Sequence, residues 1–438
     1  MGESGESIGS GGSIGSVGHC ALRSDNTVLL DSTDSGDSPD PIDTPDSPLD
    51  HDLAKYFPEL RKFESTPEME ASTLYREIKP EVERILNAVV IEGFAQNPKS
   101  KTQNPKWVSA LAWNIERGSV FEGIVEALRN HEHLKDKDVL LLTELDHGMA
   151  RSGNRFVARE IAEALNVNYA FAPVYIALQK GSGVEVEAEG ENTRSIHGLA
   201  MFSKWPMKNV HAIPLPNGKD KMWGKEKRIG RLRALFADIE HPSGTFRAVT
   251  VHLDAHCSRA HRHRQMRIIL DHVDTLPKMP TLLGGDWNTT TFNSQNATRA
   301  ILGYWRRVFM GPKKVATRHL PYPQRYFERG LFGDLESRGY EYRSFNEIGV
   351  GTLHYHVESI EKNTNLRDWV PEWCFPFIFW AANRVGGKVS GRLDWFAGKG
   401  IQIAPGTEPR TVGDLGDDAG TPLSDHDAIT LEFTLLSK

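Results

Sequence analysis

The chain has 438 residues, 39% of them hydrophobic and 25% charged, a composition typical of a soluble globular protein. It contains no run of eighteen apolar residues, so we expect no transmembrane helix and no stable association of that kind with a membrane. Its three cysteines are too few and too widely spaced for a disulfide framework. The first residues lack the basic and apolar regions of a secretory signal, so we expect a cytoplasmic protein, and a monomer.

Residues 1 to 50 differ in charge from the rest of the chain. They carry ten acidic residues and one arginine, whereas the remainder carries 51 basic and 48 acidic residues. The acidic segment is rich in Ser, Asp and Pro and cannot bury enough apolar surface to offset its ordering entropy, so we predict that it is disordered. The slightly positive remainder permits an anionic substrate without requiring one.

Residues 51 to 105 form a predicted helical N-terminal extension. After Pro80, apolar residues recur at the spacing of an amphipathic helix that packs on the main body; they are Val82, Ile85, Leu86 and Val89.

Residues 106 to 438 form the predicted main domain. Short apolar strands alternate there with helices and turns, which indicates an α/β body with buried sheets. The predicted strands are WVSALAWNI, DVLLLTEL, GLAMFSK, LRALFADIE, FRAVTVHL, MPTLLGGDW, RLDWFAG and AITLEFTLL, and the predicted helices are RFVAREIAEALN and SRAHRHRQMRIILDHVDTL.

Polar residues suited to chemistry stand at the ends of these strands. Asp286 and Asn288 follow two glycines and are two residues apart, so they would share one side of an extended backbone. Any one such residue could simply cap a turn, but burying many together is costly unless they are paired or bound to a cation. Oxygen-rich groups favour Mg²⁺ or Mn²⁺. The other strand-end residues are Asn114, Glu116, Glu144, His252, Asp394, Asp425 and His426.

In chain order, the motifs NIE, TEL, VHL, GDWN, RLD and SDH resemble those of the endonuclease/exonuclease/phosphatase superfamily, over roughly residues 107 to 436. This group includes deoxyribonucleases, abasic-site endonucleases, inositol polyphosphate phosphatases and neutral sphingomyelinases. Arg262 and Gln265 add the Arg and Gln, three apart, that the family carries after its His-Leu pair. The resemblance implies an α/β fold, a four-layer sandwich of two mixed β-sheets flanked by helices, and makes residues 106 to 438 the catalytic domain, with the site at one edge of the sandwich.

The resemblance also implies catalytic roles. Asp286 would position or deprotonate the attacking water, and Asn288 would orient that water and the phosphate. His426 would contact the scissile phosphate, with Asp394 as its carboxylate partner. His252 would be the second histidine, which the phosphatase, sphingomyelinase and deoxyribonuclease branches share.

Metal and substrate ligands are implied in the same way. Glu144 would bind the metal ion, with Glu116 and Asp425 beside it. Asn114 would contact the metal and the phosphate, and Arg262 would help to bind the substrate. The implied cofactor is Mg²⁺ or Mn²⁺.

The expected activity is divalent-metal-dependent hydrolysis of a phosphodiester or phosphomonoester, with an endonuclease/exonuclease-type phosphodiesterase as the leading hypothesis. Such a reaction puts negative charge on phosphate oxygens, which a cation and hydrogen-bond donors stabilise while a carboxylate activates water. A sphingomyelinase or an inositol-phosphate-type phosphatase is the first alternative, so the substrate is a nucleic acid, a phospholipid or a small phosphate ester. A non-catalytic binding module is the second alternative, although Glu144, Asp286 and His426 are all retained.

Three features depart from the family pattern. Thr143 stands where relatives often have Gln. The segment NGKDKMWGKEKRIGRLR is either a solvated charged loop or a site for an anionic substrate. The stretch between Asn288 and Asp394 is longer than a minimal domain needs and is expected to shape the pocket. Within it, WCFPFIFWAA is either a buried element or an apolar surface for a lipid, a base or a membrane.

Overall fold

The computed structural model describes residues 47–95, 107–289, 293, 297–356 and 388–436. The predicted disordered tail lies outside the described residues up to residue 46, and so does the aromatic run WCFPFIFWAA. Within the described part of the chain, no helix is both long and apolar enough to cross a membrane.

Ten α-helices are present in the described residues. They are α1 (Phe57–Leu60), α2 (Thr66–Ala71), α3 (Thr73–Asn87), α4 (Phe121–Asn130), α5 (Val157–Leu165), α6 (Arg259–Thr275), α7 (Ala297–Met310), α8 (Pro312–Lys314), α9 (Pro323–Tyr326) and α10 (Arg329–Ser337).

Sixteen strands are described in the same ranges. They are β1 (Val90–Gly93), β2 (Val108–Arg117), β3 (Val139–His147), β4 (Asn168–Ala177), β5 (Ile196–Ser203), β6 (Met207–Pro214), β7 (Arg228–Gly230), β8 (Arg233–His241), β9 (Gly244–Val251), β10 (Thr281–Asp286), β11 (Leu353–His356), β12 (Lys388–Gly391), β13 (Asp394–Lys399), β14 (Ile401–Ile403), β15 (Arg410–Val412) and β16 (Ala428–Leu435).

These strands form two large mixed sheets. The first has the order β1-β4-β5-β3-β2-β16-β14, with β7 on β4 and β15 on β16, and the second has the order β13-β10-β9-β8-β6. Each sheet contains one parallel pair, β2 with β3 and β9 with β10, among antiparallel neighbours. Strands β11 and β12 form a separate two-stranded antiparallel sheet.

The alternation of side chains along β2 shows how the layers are held together. Ala110 and Ala112 belong to the apolar cluster shared with the second sheet, whereas Leu111 and Trp113 belong to the cluster on the opposite face. Helices α3, α4 and α5 contribute to that outer cluster, and helices α6 and α10 pack with the second sheet. The predicted sandwich of two mixed sheets flanked by helices is therefore confirmed.

The eight predicted strands and the two predicted main-domain helices are all present, but the helix of the N-terminal extension differs from the prediction. It begins at Thr73 rather than near Pro80, with Ser72 as its cap, and Pro80 lies in its interior. It ends at Asn87, so Val89 lies outside it. The apolar spacing located the buried face, but proline was wrong as a start signal.

The extension is joined to the first sheet. Strand β1 pairs with β4 in antiparallel register, from Val90 opposite Phe171 to Gly93 opposite Asn168. The segment before α1 is held by Arg84, which donates to the backbone carbonyls of Pro48 and Asp50. The sequence predicted the helices of this segment but not its strand.

Gly285 shows how closely the two strands that support the site approach each other. Its φ is +132°, and a Cβ at this position would collide with the backbone carbonyl of Val251. We therefore expect Gly285→Ala to lower the free energy of unfolding by roughly 2–3 kcal/mol. Gly333 in α10 is the matched control, because a Cβ there meets no atom within 4 Å. Denaturant unfolding of both variants tests this, and equal stability would contradict the packing argument.

Candidate active site

Strand direction brings the predicted site residues to one edge of the sandwich. Parallel strands β2 and β3 carry Asn114 and Glu144 toward their carboxyl ends. Of the parallel strands β9 and β10, the first ends at Val251, directly before His252, and the second ends at Asp286. The antiparallel strand β13 begins at Asp394, directly opposite Asp286 in register.

One carboxylate oxygen, Oδ2 of Asp286, lies at the centre of the site. Asn114 Nδ2 donates to it at 3.2 Å, and Asn288 Nδ2 donates to it at 2.9 Å. The Nε2 atoms of His252 and His426 lie 3.5 Å and 3.9 Å from it. The side chain of Asp286 is 1% exposed, and burial raises its pKa to about 6. Four nitrogens from different strand ends therefore converge on one buried oxygen.

Asn288 reaches Asp286 by a turn of the backbone rather than by strand alternation. Its φ is +49°, a left-handed conformation that Asn tolerates better than most residues. Its backbone N–H donates to Asp286 Oδ1 at 2.8 Å, and its amide also donates to the carbonyl of Leu253 at 3.0 Å. The two residues meet as predicted, but the extended backbone that we assumed is absent.

His426 and Asp394 form a buried pair. His426 Nδ1 lies 2.8 Å from Asp394 Oδ2, and the side chains are 5% and 0% exposed. Burial opposes a charged imidazole, but Asp394 and then Asp286 outweigh it and raise the pKa of His426 well above its usual range. The position of His426 is fixed by Ser424, whose Oγ accepts from the backbone N–H of His426 and donates to the carbonyl of Asn114.

Glu144 is turned toward the site by an irregularity in β3. Its φ is +58°, and the register with the neighbouring strands shifts between Thr143 and Leu145. A bulge of this kind re-aims one side chain in a strand. Glu144 Oε1 accepts from Asn114 at 3.0 Å. Burial alone would raise the pKa of Glu144, but Arg117 outweighs it and holds that pKa well below its usual range.

Glu116 and Asp425 form a second acidic group beside Glu144. Glu116 Oε2 accepts from the backbone N–H of Asp425 at 3.1 Å. Burial, and then the nearby Asp425, raises the pKa of Glu116 to about 8. Burial also raises the pKa of Asp425, with Glu144 adding to the effect. Three carboxyl groups are thus crowded together with too little positive charge, and a divalent cation fits such a place.

Two groups of three residues in the described ranges have ligand atoms within 4.8 Å of one another. One consists of Glu144, His252 and Asp286, and the other of Asp286, Asp394 and His426. Of the predicted metal ligands Glu144, Glu116 and Asp425, only Glu144 belongs to one of these two groups. Since His426 is already paired with Asp394, the first group is the better candidate for a cation.

Arg262 does not lie where the predicted role in substrate binding would need it. Its side chain is 0% exposed, and its guanidinium donates to Glu328 Oε1 at 2.6 and 3.0 Å. Gln265, the other residue of that pattern, accepts from the backbone N–H of Asp254. A fully buried, ion-paired side chain cannot contact a substrate, so the pattern marks a structural contact between α6 and the start of α10.

The basic segment 217–233 was predicted to be either a solvated charged loop or a site for an anionic substrate. Its contacts fit neither prediction fully. Lys221 Nζ lies 3.4 Å from Asp254 Oδ2, and Arg228 is paired with Glu226. Both cations also lie over the ring of Tyr175. These two side chains are therefore held by ion pairs and only partly exposed, and much of their charge is already compensated.

Arg117 and Thr352 are two residues of the site that the sequence analysis missed. Arg117 directly follows the NIE motif, and its Nε lies 3.0 Å from Glu185 Oε1. Thr352 Oγ1 accepts from the backbone N–H of Asp394 at 3.1 Å, and its carbonyl accepts from Asp427. Adjacency to the motif could have indicated Arg117, but no local pattern indicates Thr352.

The charge of His426 should depend on Asp394. Since its folded-state pKa is raised above about 6.5, the pair stabilises the protein fully below that pH and loses its effect as pH rises through the folded-state pKa. We expect Asp394→Asn to lower the pKa of His426 in metal-free protein, measured by NMR titration of the ring. His147, whose pKa burial lowers to about 4, is the internal control and should not move. An unchanged His426 would contradict the pairing.

The Arg262–Glu328 pair should affect stability and not substrate affinity. Arg262→Met leaves Glu328 buried without its cation, which should cost about 3–5 kcal/mol of unfolding free energy. Adding Glu328→Leu should recover most of the lost unfolding free energy, because it removes the unpaired buried carboxylate. If the stable double variant nevertheless showed a raised KM, the predicted role in substrate binding would be reinstated.

The model of the Endonuclease/Exonuclease/phosphatase family matches residues 111–426. A search of curated proteins returned no match.

Solved structures with related folds have low sequence identity. An endonuclease/exonuclease/phosphatase from Beutenbergia cavernae is 17% identical, covers 76% of this chain and 72% of its own, and has a TM-score of 0.42. The 3′ phosphatase NExo from Neisseria, bound to a product DNA hairpin, is 14% identical, covers 74% and 99%, and has a TM-score of 0.41. The human nocturnin catalytic domain with a bound sulfate is 13% identical, covers 80% and 97%, and has a TM-score of 0.38. These likenesses say nothing about the substrate. The family match spans more than half of the sequence, and the chain therefore belongs to the Endonuclease/Exonuclease/phosphatase family.

Proposed function

We propose that the protein is a divalent-metal-dependent phosphoric ester hydrolase, and specifically a phosphodiesterase of the endonuclease/exonuclease type. The observation that carries the proposal is the convergence of Asn114, Asn288, His252 and His426 on Oδ2 of Asp286. A carboxylate held by fixed donors in a buried site is a suitable base for water, because it needs no reorganisation during the reaction. Membership in a family of mostly hydrolytic phosphoesterases supports the same conclusion.

Each of these residues has a separate role in the displacement at phosphorus. A water oxygen forms a bond to phosphorus, the bond from phosphorus to the leaving oxygen breaks, and Asp286 accepts the proton that the water loses. Asn288 holds Asp286 and so orients the water. His426, kept cationic by Asp394, donates through Nε2 to a phosphate oxygen, where negative charge increases. The leaving oxygen takes a proton from the site or from solvent.

Glu144 is the main proposed metal ligand, with Asn114 and His252 close to it and Glu116 and Asp425 around it. A bound Mg²⁺ or Mn²⁺ would neutralise charge on the phosphate. Arg117 keeps Glu144 ionised and therefore ready to bind a cation. Burial and then the nearby Asp425 raise the pKa of Glu116 to about 8, and a cation bound beside it would favour its ionised form.

Hydrolysis of bis-p-nitrophenyl phosphate, plasmid DNA and sphingomyelin, measured side by side with Mg²⁺, Mn²⁺ or EDTA, tests the proposal. We expect metal-dependent turnover that Asp286→Asn lowers by 10²-fold or more, since it removes the base. Glu144→Gln should raise the metal concentration needed for half-maximal activity. The preferred substrate distinguishes the nuclease from the sphingomyelinase alternative.

The matched control is Asp136→Asn. Asp136 is exposed and has a φ of +58°, which Asn also adopts readily, so the variant should keep wild-type activity. Absence of turnover on every substrate, in protein that binds the cation and is folded by circular dichroism, would contradict the proposal. That result would instead support a non-catalytic binding module.

A further inference from the structure

A basic segment follows the catalytic strand β10. It runs from residue 297 to residue 319 through α7, α8 and the π-helical turn Val315–His319, and we call it the 297–319 arm. Between residues 289 and 327 the sequence has seven Lys or Arg residues and no Asp or Glu. The whole chain carries a net charge of −6, so this is a strong local departure.

The arm exposes apolar and basic side chains on the same side. Leu302 is 64% exposed and Phe309 is 84% exposed, the largest value among the exposed large hydrophobic residues of the described chain. Leu302, Arg306 and Phe309 are four and three residues apart, so they lie on one face of α7. Arg306 is also exposed. Two exposed apolar side chains that share one helical face with an exposed arginine form an amphipathic surface rather than a single scattered hydrophobic residue.

The positive charges of this face are not compensated within the described residues. Arg306, Lys313, Lys314 and Arg318 are exposed, and none of the four forms an ion pair with another residue of the described ranges. By contrast, Arg262 and Lys221 elsewhere in the protein are paired with acids. The arm therefore presents positive charge that no acid of the described ranges compensates, which suits an anionic partner.

On both sides of the arm, the described chain is hydrogen-bonded to Arg392. Thr289, next to Asn288, donates through its hydroxyl to the carbonyl of Arg392 at 2.6 Å. At the other end, the backbone N–H of Arg392 donates to the carbonyl of Leu320 at 3.2 Å. Arg392 is two residues before Asp394, so the chain that flanks the arm is anchored beside the candidate active site.

We propose that the 297–319 arm is a docking surface for an anionic phospholipid membrane. A basic amphipathic helix with exposed Leu and Phe fits the headgroup region, where apolar side chains enter the acyl boundary and Lys and Arg attract anionic lipids. Nucleic acid is the other large anionic partner that such charge attracts. Base stacking needs aromatic rings, however, and Leu302 has no ring to stack on a base. This surface is independent of the reaction proposed above, because it concerns binding and not chemistry.

Flotation of the full chain with lipid vesicles tests the proposal. The vesicles contain phosphatidylcholine alone or with about 30% phosphatidylserine, at about 50 and 300 mM NaCl. We expect binding to the anionic vesicles only, weakened at the higher salt concentration. Lys313→Gln with Lys314→Gln should lower the partition coefficient by roughly 20-fold. Leu302→Ser with Phe309→Ser should lower it by at least roughly tenfold.

The matched control removes two charges elsewhere. Lys62→Gln with Lys79→Gln changes two exposed lysines of the N-terminal extension and should leave vesicle binding unchanged. An equal loss of binding in this control would overturn the proposal, because it would show that net charge and not the arm is responsible. Asp286→Asn should bind vesicles like wild type, so failure of the proposed reaction does not affect this result.

Two further results would also overturn the proposal. One is absence of binding to anionic vesicles together with tight, salt-dependent binding to a short DNA duplex, measured by fluorescence anisotropy, which would assign the arm to nucleic acid. The other is a fall of more than about 5 °C in the melting temperature of Leu302→Ser with Phe309→Ser, which would show that the face is packed within the folded protein.

Discussion

The candidate active site depends on how the negative charges of its carboxylates are compensated. The two sheets bring these carboxylates together at one buried edge. Asp286 and Asp394 face each other across β10 and β13, where two negative charges would repel strongly. His426 lies between them in its charged form, and Asn114 and Asn288 supply neutral donors. The same requirement explains Arg117 beside Glu144. A cation bound at the proposed metal site would complete this balance, so the proposed metal binding and the stability of the site depend on the same charges.

The backbone is distorted where the chemistry is concentrated. Glu116, Arg117, Glu144 and Asn288 all have positive φ values, between +43° and +70°. Each such conformation costs of order 1–3 kcal/mol and persists only because the surrounding strands enforce it. The irregularity between Thr143 and Leu145 re-aims Glu144 toward Asn114, and the left-handed turn at Asn288 brings its amide back to Asp286. Local strain thus allows one sheet edge to hold more functional groups than regular pleating would permit.

The sequence predicted the architecture and the family because both depend on local signals, and the structure brings most of the proposed site residues together at one edge of the sandwich. Apolar runs located the eight strands, and the motif order indicated the family. The burial of Arg262 was not predicted because spacing along α6 does not reveal that Glu328 lies against it. Thr352 was missed because its hydrogen bonds to Asp394 join residues 42 apart in sequence. No family motif marks the basic arm, although its lack of acidic residues is visible in the sequence.

The pairing of β1 with β4 affects how the catalytic body can be isolated. A fragment beginning at residue 107 would keep every motif of the family, yet it would leave the backbone amides and carbonyls of Asn168 to Phe171 without their partner strand. An uncovered strand edge is a template for pairing with another chain. The N-terminal segment is therefore a protective cover for the sheet, and the smallest well-behaved unit of this protein is larger than its catalytic motifs suggest.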